Sequence, residues 1–226
     1  MTIQAGITET DIANYLANTP GFFERHAELL ASIQLFSPHG QRAVSLQERQ
    51  MDMLRDKNKA LEHTIMEMKR HGLENVAIAD RLHRFTRAVM LAPSPASVPD
   101  LLVAALQREF TIPKAAVRLW GIDEAFDGLP FTVGASEDTR SFVASLSTPY
   151  CGLNTGFEPV SWLDDAATVM SIALIPLRAG PDEPAMGLLV LGSPDPTRYS
   201  AEMGTEFLAR VGEVASAGLS RLLPLK

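Results

Sequence analysis

The sequence predicts an α+β protein in which an antiparallel sheet flanked by helices follows a helical hairpin and a long coiled-coil helix. Three observations carry this prediction. From Ser45 to Leu91 the pattern is helical, and Met51, Leu54, Asn58, Leu61, Ile65 and Met68 fall alternately three and four residues apart, the a and d positions of a coiled coil. Met170 to Leu177 and Met186 to Gly192 are apolar runs separated by Ala179-Gly180-Pro181-Asp182-Glu183-Pro184, turn chemistry that makes them a β-hairpin. Ser200 to Leu223 then reads as a closing helix, capped by Ser200, with Phe207, Leu208, Val211, Val214, Ala215, Ala217, Gly218 and Leu222 as a broad apolar face.

The elements follow in order. Thr8 to Leu16 is a short amphipathic helix closed by Asn18-Thr19-Pro20-Gly21. Thr19 as cap and Pro20 in the first turn open a second helix, with Phe22, Phe23, His26, Leu29 and Leu30 on its apolar side. A hairpin of this size cannot bury these residues alone, so it packs on the long helix, on a second copy or on another protein. Ser37-Pro38-His39-Gly40 is a turn, and Ser45 with Glu48 forms a capping box at the start of the long helix. Asn58 occupies an a position, where it pairs across a two-stranded parallel seam and fixes register. Gly72 also falls at a; beyond it Leu73, Val76, Ala77, Asp80, Leu82, Phe85, Val89 and Met90 spread over a wider face, as in a helix packing on a globular core.

Ala92-Pro93-Ser94-Pro95 ends that helix, and Pro99-Asp100 opens another bearing Leu101, Leu102, Ala105, Leu106 and Phe110. Ala115 to Gly121 and Phe131 to Ala135 read as strands and Ser141 to Leu146 as a short helix. Three regions result: a hairpin over 1–43, a dimerisation and linker helix over 44–91 whose second half packs on the sheet domain, and the sheet domain over 92–226.

Composition narrows the function. Of 226 residues 46% are apolar and the net charge is −7, yet residues 41–91 hold ten Lys/Arg against seven Asp/Glu. The acidic remainder argues against nucleic acid as a partner, and Arg81, His83, Arg84 and Arg87 read as a solvated helix face. A single cysteine, Cys151, excludes an internal disulfide and suits a reducing compartment, the cytoplasm. Residues 1–9 lack a basic segment followed by an apolar one, and no run approaches the ~18 apolar residues of a membrane span.

The order of elements resembles a GAF domain over about Leu73 to Leu223. The stretch Met186-Gly-Leu-Leu-Val-Leu-Gly-Ser193, then Arg198-Tyr199-Ser200-Ala201-Glu202 and the alanine-rich helix, carries the likeness. The whole chain resembles a bacterial family known only as domain of unknown function 484. That match rests on Tyr15-Leu16, Pro20-Gly-Phe-Phe-Glu-Arg-His26, Val44-Ser-Leu-Gln-Glu-Arg-Gln50, Gly192-Ser-Pro-Asp-Pro-Thr-Arg-Tyr199 and Met203-Gly-Thr-Glu-Phe-Leu208. The resemblance implies a GAF-like fold and a module that binds a small molecule or serves signalling and dimerisation; it implies no activity.

In GAF-like proteins the ligand cavity lies between the sheet and the variable middle segment, here about Phe131 to Asp165. Tyr150, Cys151 and Trp162 supply a lining with Phe142 as a wall, or they fill a core. Arg118 and Trp120 alternate with Val117 and Leu119 along one strand; Arg118 is an anion clamp or, as half-covered sheets favour, a solvent-facing arginine. Cys151 precedes Gly152 in a loop, and a nucleophile would need an oriented base, whereas His26, His39, His63, His71 and His83 all precede the sheet. Methionine sulfoxide reductases of the GAF type use more than one cysteine, which this chain lacks. His63, Glu67 and His71 recur every four residues but read as solvated positions rather than metal ligands, and Asp123-Glu124 and Asp164-Asp165 read as surface turns. No phosphate-binding glycine loop, His-Glu-x-x-His or Gly-x-Ser-x-Gly run is present, nor the Asn-Lys-x-Phe-Asp signature of cyclic-nucleotide GAF domains. The expectation is therefore a non-enzymatic homodimer without cofactor or metal, joined through the long helix and binding an unidentified small molecule near Arg118, Trp120, Phe131, Phe142, Tyr150, Cys151 and Trp162. A ligand-free scaffold gripping a protein through Phe22, Phe23 and Leu29 is the alternative, and an enzyme using Cys151 a remote one.

Overall fold

The structure, a computed structural model, describes residues 7–32, 35–36, 43–44, 46–180, 182–200 and 204–224. The chain divides into two compact units, Met1–Gly72 and Leu73–Lys226.

In the first unit, helix α1 (Glu9–Asn18) begins at a capping box: the Asp11 amide donates to Thr8 Oγ1 (3.2 Å) while Asp11 Oδ2 accepts from the Thr8 amide (2.9 Å). The expected second helix from Pro20 is instead two short ones, α2 (Phe22–Arg25) and α3 (Ala27–Ser32). Pro20 sits in a turn closed by the Phe22 amide on the Thr19 carbonyl (2.9 Å), and His26 leaves helical geometry at φ −125°, ψ 47°. The rings of Tyr15 and Phe23 stand edge-to-face with the Phe22 ring at 6.0 and 5.3 Å between centroids. Strands β1 (Leu35–Phe36) and β2 (Ala43–Val44) pair antiparallel. The expected turn at Ser37 to Gly40 and the Ser45 cap lie outside the described residues.

Helix α4 spans Leu46–Met90, 45 residues and so about 68 Å. Every side chain from Gln50 to Arg81 is exposed. The expectation that the packed face starts at Leu73 is corrected: Leu73, Val76 and Met90 are 64%, 60% and 75% exposed, and core contact begins at Leu82, with Phe85 and Val89 buried. Helical spacing was legible; how much of the helix the domain could cover was not.

The second unit continues with α5 (Val98–Phe110), β3 (Lys114–Leu119), α6 (Glu137–Ser145), β4 (Tyr150–Leu153), β5 (Ser171–Arg178), β6 (Ala185–Ser193) and α7 (Glu206–Leu219). The strands form one antiparallel sheet in the order β3-β6-β5-β4, so the class is α+β as expected. Central β5 and β6 are buried on both faces, which explains their unbroken apolar sequences. On one face Val117, Leu119, Ile175, Leu189 and Leu191 pack with Phe85, Leu102, Leu106 and Val211; on the other Ala116, Ile172, Leu174, Leu188 and Val190 pack with Val143, Val160 and Leu163. Gly218 of α7 lies so close to the Val89 side chain that a Cβ there would collide with it.

Three further expectations are corrected. Phe131 to Ala135 is a 3₁₀ turn (Pro130–Thr132) running into Gly134 at φ 91°; Pro130 offers no N–H and Gly134 turns left-handed, so the extended run breaks at both ends. Cys151 lies on β4 opposite Ala173, not in a loop; four residues are too few to show a period. Helix α7 starts at Glu206 rather than Ser200, which is not helical.

Candidate functional site

Alternation along β3 sends Val117 and Leu119 toward the face covered by α5 and α7, and Ala116, Arg118 and Trp120 toward the opposite, outer face. The outer face is covered by α6 and by the β4–β5 connection. The Arg118 side chain therefore does not face solvent, as a half-covered sheet would have had it; it is half-buried, and its guanidinium lies over the Trp162 ring, 5.5 Å from the centroid. Its Nη1 donates to the carbonyl of its own neighbour Val117 (2.9 Å), and its Nε is enclosed without a hydrogen-bond partner. Burial pushes its pKa down from the arginine range. Gly134, whose positive φ suits glycine, approaches both Arg118 Nε and Trp162 Nε1: a Cβ there would sit 3.8 Å from each. Trp162 Nε1 donates to the Gly134 carbonyl (2.8 Å).

Two residues along the strand, Trp120 donates from Nε1 to the Ala185 carbonyl (2.7 Å), and the Arg140 guanidinium lies 5.8 Å from its ring centroid. Arg140 Nη1 is 3.3 Å from Glu137 Oε1, and Arg140 Nε has no partner. Trp120 and Arg140 line a cleft of about 650 Å³ with Arg178, Glu183 and Met186. Beside them Phe157 meets Phe142 at 5.9 Å and Tyr150 at 5.5 Å.

Of the seven pocket residues expected from sequence, Arg118, Trp120, Phe142, Tyr150 and Trp162 thus belong to the outer face. Phe131 and Cys151 are buried in the opposite core, with α5 and α7. Burial pushes the Cys151 thiol pKa up, away from a thiolate at neutral pH. Three residues of the site were missed. Arg140 and Phe157 are two, and Ser136-Glu137-Asp138 was a legible helix start that would have placed Arg140 on α6. The third is Glu158, which fastens the 3₁₀ turn Glu158–Trp162 to the start of α6: its carboxylate accepts from the Ser136 amide (3.0 Å), Ser136 Oγ and Thr139 Oγ1 (2.8 Å). These hydrogen bonds, those from Ser136 foremost, hold its pKa below the usual glutamate range.

The seam residues Met51, Leu54, Leu61, Ile65 and Met68 are each at least half exposed, and Asn58 is exposed with them. Further along the same heptad, Asn75, Ala79, Leu82 and Thr86 line a groove of about 670 Å³ with Phe207 and Arg210 of α7. Of the helix's basic face, Arg84 is spent on Glu109, at 2.7 Å. His63 Nδ1 lies 3.5 Å from Glu67. Among the described residues no group of three or more His, Cys, Asp or Glu is placed to hold a metal ion, and no helix is long and apolar enough to cross a membrane.

A family model described as "Protein of unknown function, DUF484" matches residues 1–223. No curated protein matches the sequence. Among solved structures, the chain is similar to the GAF domain of an Acinetobacter phosphoenolpyruvate-protein phosphotransferase (20% identity, 63% of this chain and 92% of that one, TM-score 0.47). It is similar also to the corresponding GAF domain from Coxiella burnetii (13% identity, 65% and 92%, TM-score 0.44) and to free methionine-R-sulfoxide reductase from Neisseria meningitidis, solved with its substrate (12% identity, 64% and 89%, TM-score 0.42). At such identities the likeness concerns the GAF-like fold and transfers no ligand or activity.

Proposed function

Because the chain belongs to the DUF484 family, a membership that brings no activity with it, we propose a function from the site: a non-enzymatic, homodimeric GAF-like module that senses a small molecule on the outer sheet face, in bacterial signalling or regulation. The observation that carries it is a pairing within one chain. An a/d stripe on α4 stands exposed, and the sheet domain has an aromatic outer face beside a cleft at Trp120 and Arg140. An apolar seam of this spacing is buried by a second copy in a parallel coiled coil, with Asn58 pairing across it to fix register. Pockets that bind small molecules combine apolar and aromatic walls with a few polar groups, and at this cleft Trp120 and Met186 supply the wall and Arg140, Arg178 and Glu183 the polar groups. Ligand binding regulates only if it favours one helix arrangement over another, and α4 and α7, both packed on the sheet domain's core, are the elements that would carry that difference.

The reading excludes catalysis by Cys151. Its thiol is buried and its pKa raised, where a nucleophile needs a lowered pKa or a base. Cytoplasmic location is part of the same proposal, resting on the single unpaired cysteine. The N-terminal hairpin gives a second reading, a ligand-free protein-interaction module gripping through Phe22, Phe23 and Leu29; Leu29 is exposed, as are Ile12 and Tyr15, while Phe22 and Phe23 are half-buried.

Native mass spectrometry of the purified protein tests both parts. The expected spectrum is a dimer with excess mass released on activation. A clean monomer at tens of micromolar, a range in which ordinary dimers associate, overturns the dimer. A spectrum with no excess mass before activation, together with no thermal shift from any compound of a metabolite panel, overturns the sensor.

A further inference from the structure

We propose that the outer face of the sheet takes a small organic anion, its carboxylate or phosphate bound by the guanidinium edge of Arg118, with Arg140 as a second cation and the two indoles as an apolar wall. The inference rests on the sensor reading and names the chemical class of its ligand.

Four other arginines of the sheet domain hold carbonyls or a carboxylate of the fold. Arg178 donates to the carbonyls of Glu183 (3.1 Å), Ala144 (3.0 Å) and Leu146 (3.0 Å), closing the C-terminal end of α6. Arg198 donates to the carbonyls of Phe110 (3.2 Å) and Thr111 (2.9 Å) at the end of α5. Arg84 and Arg108 share Glu109 at 2.7 and 2.9 Å. Each is spent on fold. Arg118 differs from these four: half-buried, it makes one hydrogen bond, to the carbonyl of the residue before it, while Nε has no partner. No carboxylate pairs with it among the described residues.

A guanidinium stays charged at any physiological pH, and a partly desolvated charge is unfavourable unless a counter-charge meets it. Stacking on Trp162 engages the flat face of Arg118, Nη1 is taken by the Val117 carbonyl and Nε is enclosed, which leaves Nη2 as the donor that an oxyanion meets in a charge-assisted hydrogen bond. Trp120 follows two residues later on the same strand face, about 7 Å away, with Arg140 stacked over it and Arg140 Nε also unpartnered. Two stacked cations thus lie on one face, and Arg140, which also pairs with Glu137, lines an open cleft there. The ligand is small because Gly134 and the turn holding Trp162 cover the Arg118 end. A chain of net charge −7 disfavours a polyanion such as nucleic acid.

The site carries its own reporter. The sequence contains two tryptophans, and each lies beneath one of these arginines, so intrinsic tryptophan fluorescence of the full chain reads this face alone. Titration with phenyl phosphate and with benzoate is expected to give saturable changes, while phenol, the same ring without the anion, gives none. Arg118→Gln is expected to weaken both anions at least tenfold and Arg140→Gln by less, with the thermal unfolding midpoint measured to show that each variant folds. Should Arg118→Gln not fold, competition of added chloride with phenyl phosphate on the wild-type chain and the Arg140→Gln titration decide instead. Equal titration by phenol and phenyl phosphate, or no saturation by either anion up to roughly 10 mM, a limit of weak binding, overturns the anion site. If that happens while native mass spectrometry shows a retained neutral molecule, the ligand class fails and the sensor reading stands.

Discussion

The stretch of α4 from Met51 to Met68 and the hairpin β5–β6 are the two most regular apolar patterns in this protein, and they end in opposite circumstances. In β5–β6, Leu174, Leu177, Leu188, Leu189 and Leu191 are fully buried by helices and turns of the same chain. In α4, Leu54, Leu61 and Ile65 are 57–63% exposed. A hydrophobic period announces that a surface must be covered; it does not say by what. The sheet's faces are covered within the chain because α5, α6, α7 and the β4–β5 connection return over it, whereas the seam of α4 stands exposed, and a second copy is the cover proposed for it.

Four substitutions test this difference between seam and sheet. The largest effect is expected in the sheet: Leu189→Ala, at a site with no exposure, removes packing on both a strand and the helices above it. It should cost about 2–5 kcal/mol, read as a lower denaturant midpoint. In the seam, Leu54→Ala with Leu61→Ala should leave the unfolding of the sheet domain unchanged yet raise the dimer dissociation constant by roughly a hundredfold or more, if each buried leucine contributes about 1.5–3 kcal/mol; sedimentation across a dilution series measures it. Unaltered association would mean that the seam is not the interface.

Two smaller effects sharpen the contrast. Glu158 has its pKa lowered in the folded chain by Ser136 and Thr139, so its share of stability is present above the usual glutamate value of about 4.3 and is lost as pH falls through its folded value. Glu158→Gln should flatten the acid limb of the sheet domain's stability curve without touching dimerisation; a curve that keeps its slope contradicts the pinning role. The smallest effect belongs to Gly72. Nothing lies within 4 Å of a Cβ placed there, so Gly72→Ala should stabilise α4 by about 0.5–1 kcal/mol through helix propensity, seen as a small rise in the temperature at which its helical circular dichroism is lost. A loss of stability would show that the seam needs a glycine at this a position.

How much was legible follows from the length of each signal. Helix α4, helix α5 and the β5–β6 hairpin were readable because each repeats its period over several turns or residues. Strand β4 was not, since Tyr150 to Leu153 is four residues long and acquires its pairing from β5. The false strand at Phe131 shows the reverse: an apolar residue between Pro130 and Gly134 looks extended in sequence, but no neighbouring strand exists in the sheet to pair with it. At the site, the aromatic and arginine residues were recognisable by type, and their division between two sheet faces was not. Phe131 and Cys151 went to the helix-packed core while Arg140 and Phe157 joined the outer face.

By itself, the sequence determined the local periods: a 45-residue helix with a heptad seam, an apolar hairpin fit for a sheet buried on both faces, and a lone cysteine without an activating neighbour. Tertiary structure alone decided which of these apolar faces the chain covers for itself, and that Arg118 stands over Trp162 with donors unspent. The physical reason is range. Helix and strand formation answer to residues a few positions apart, whereas burial, desolvation and the pairing of charges depend on groups brought together from distant parts of the chain.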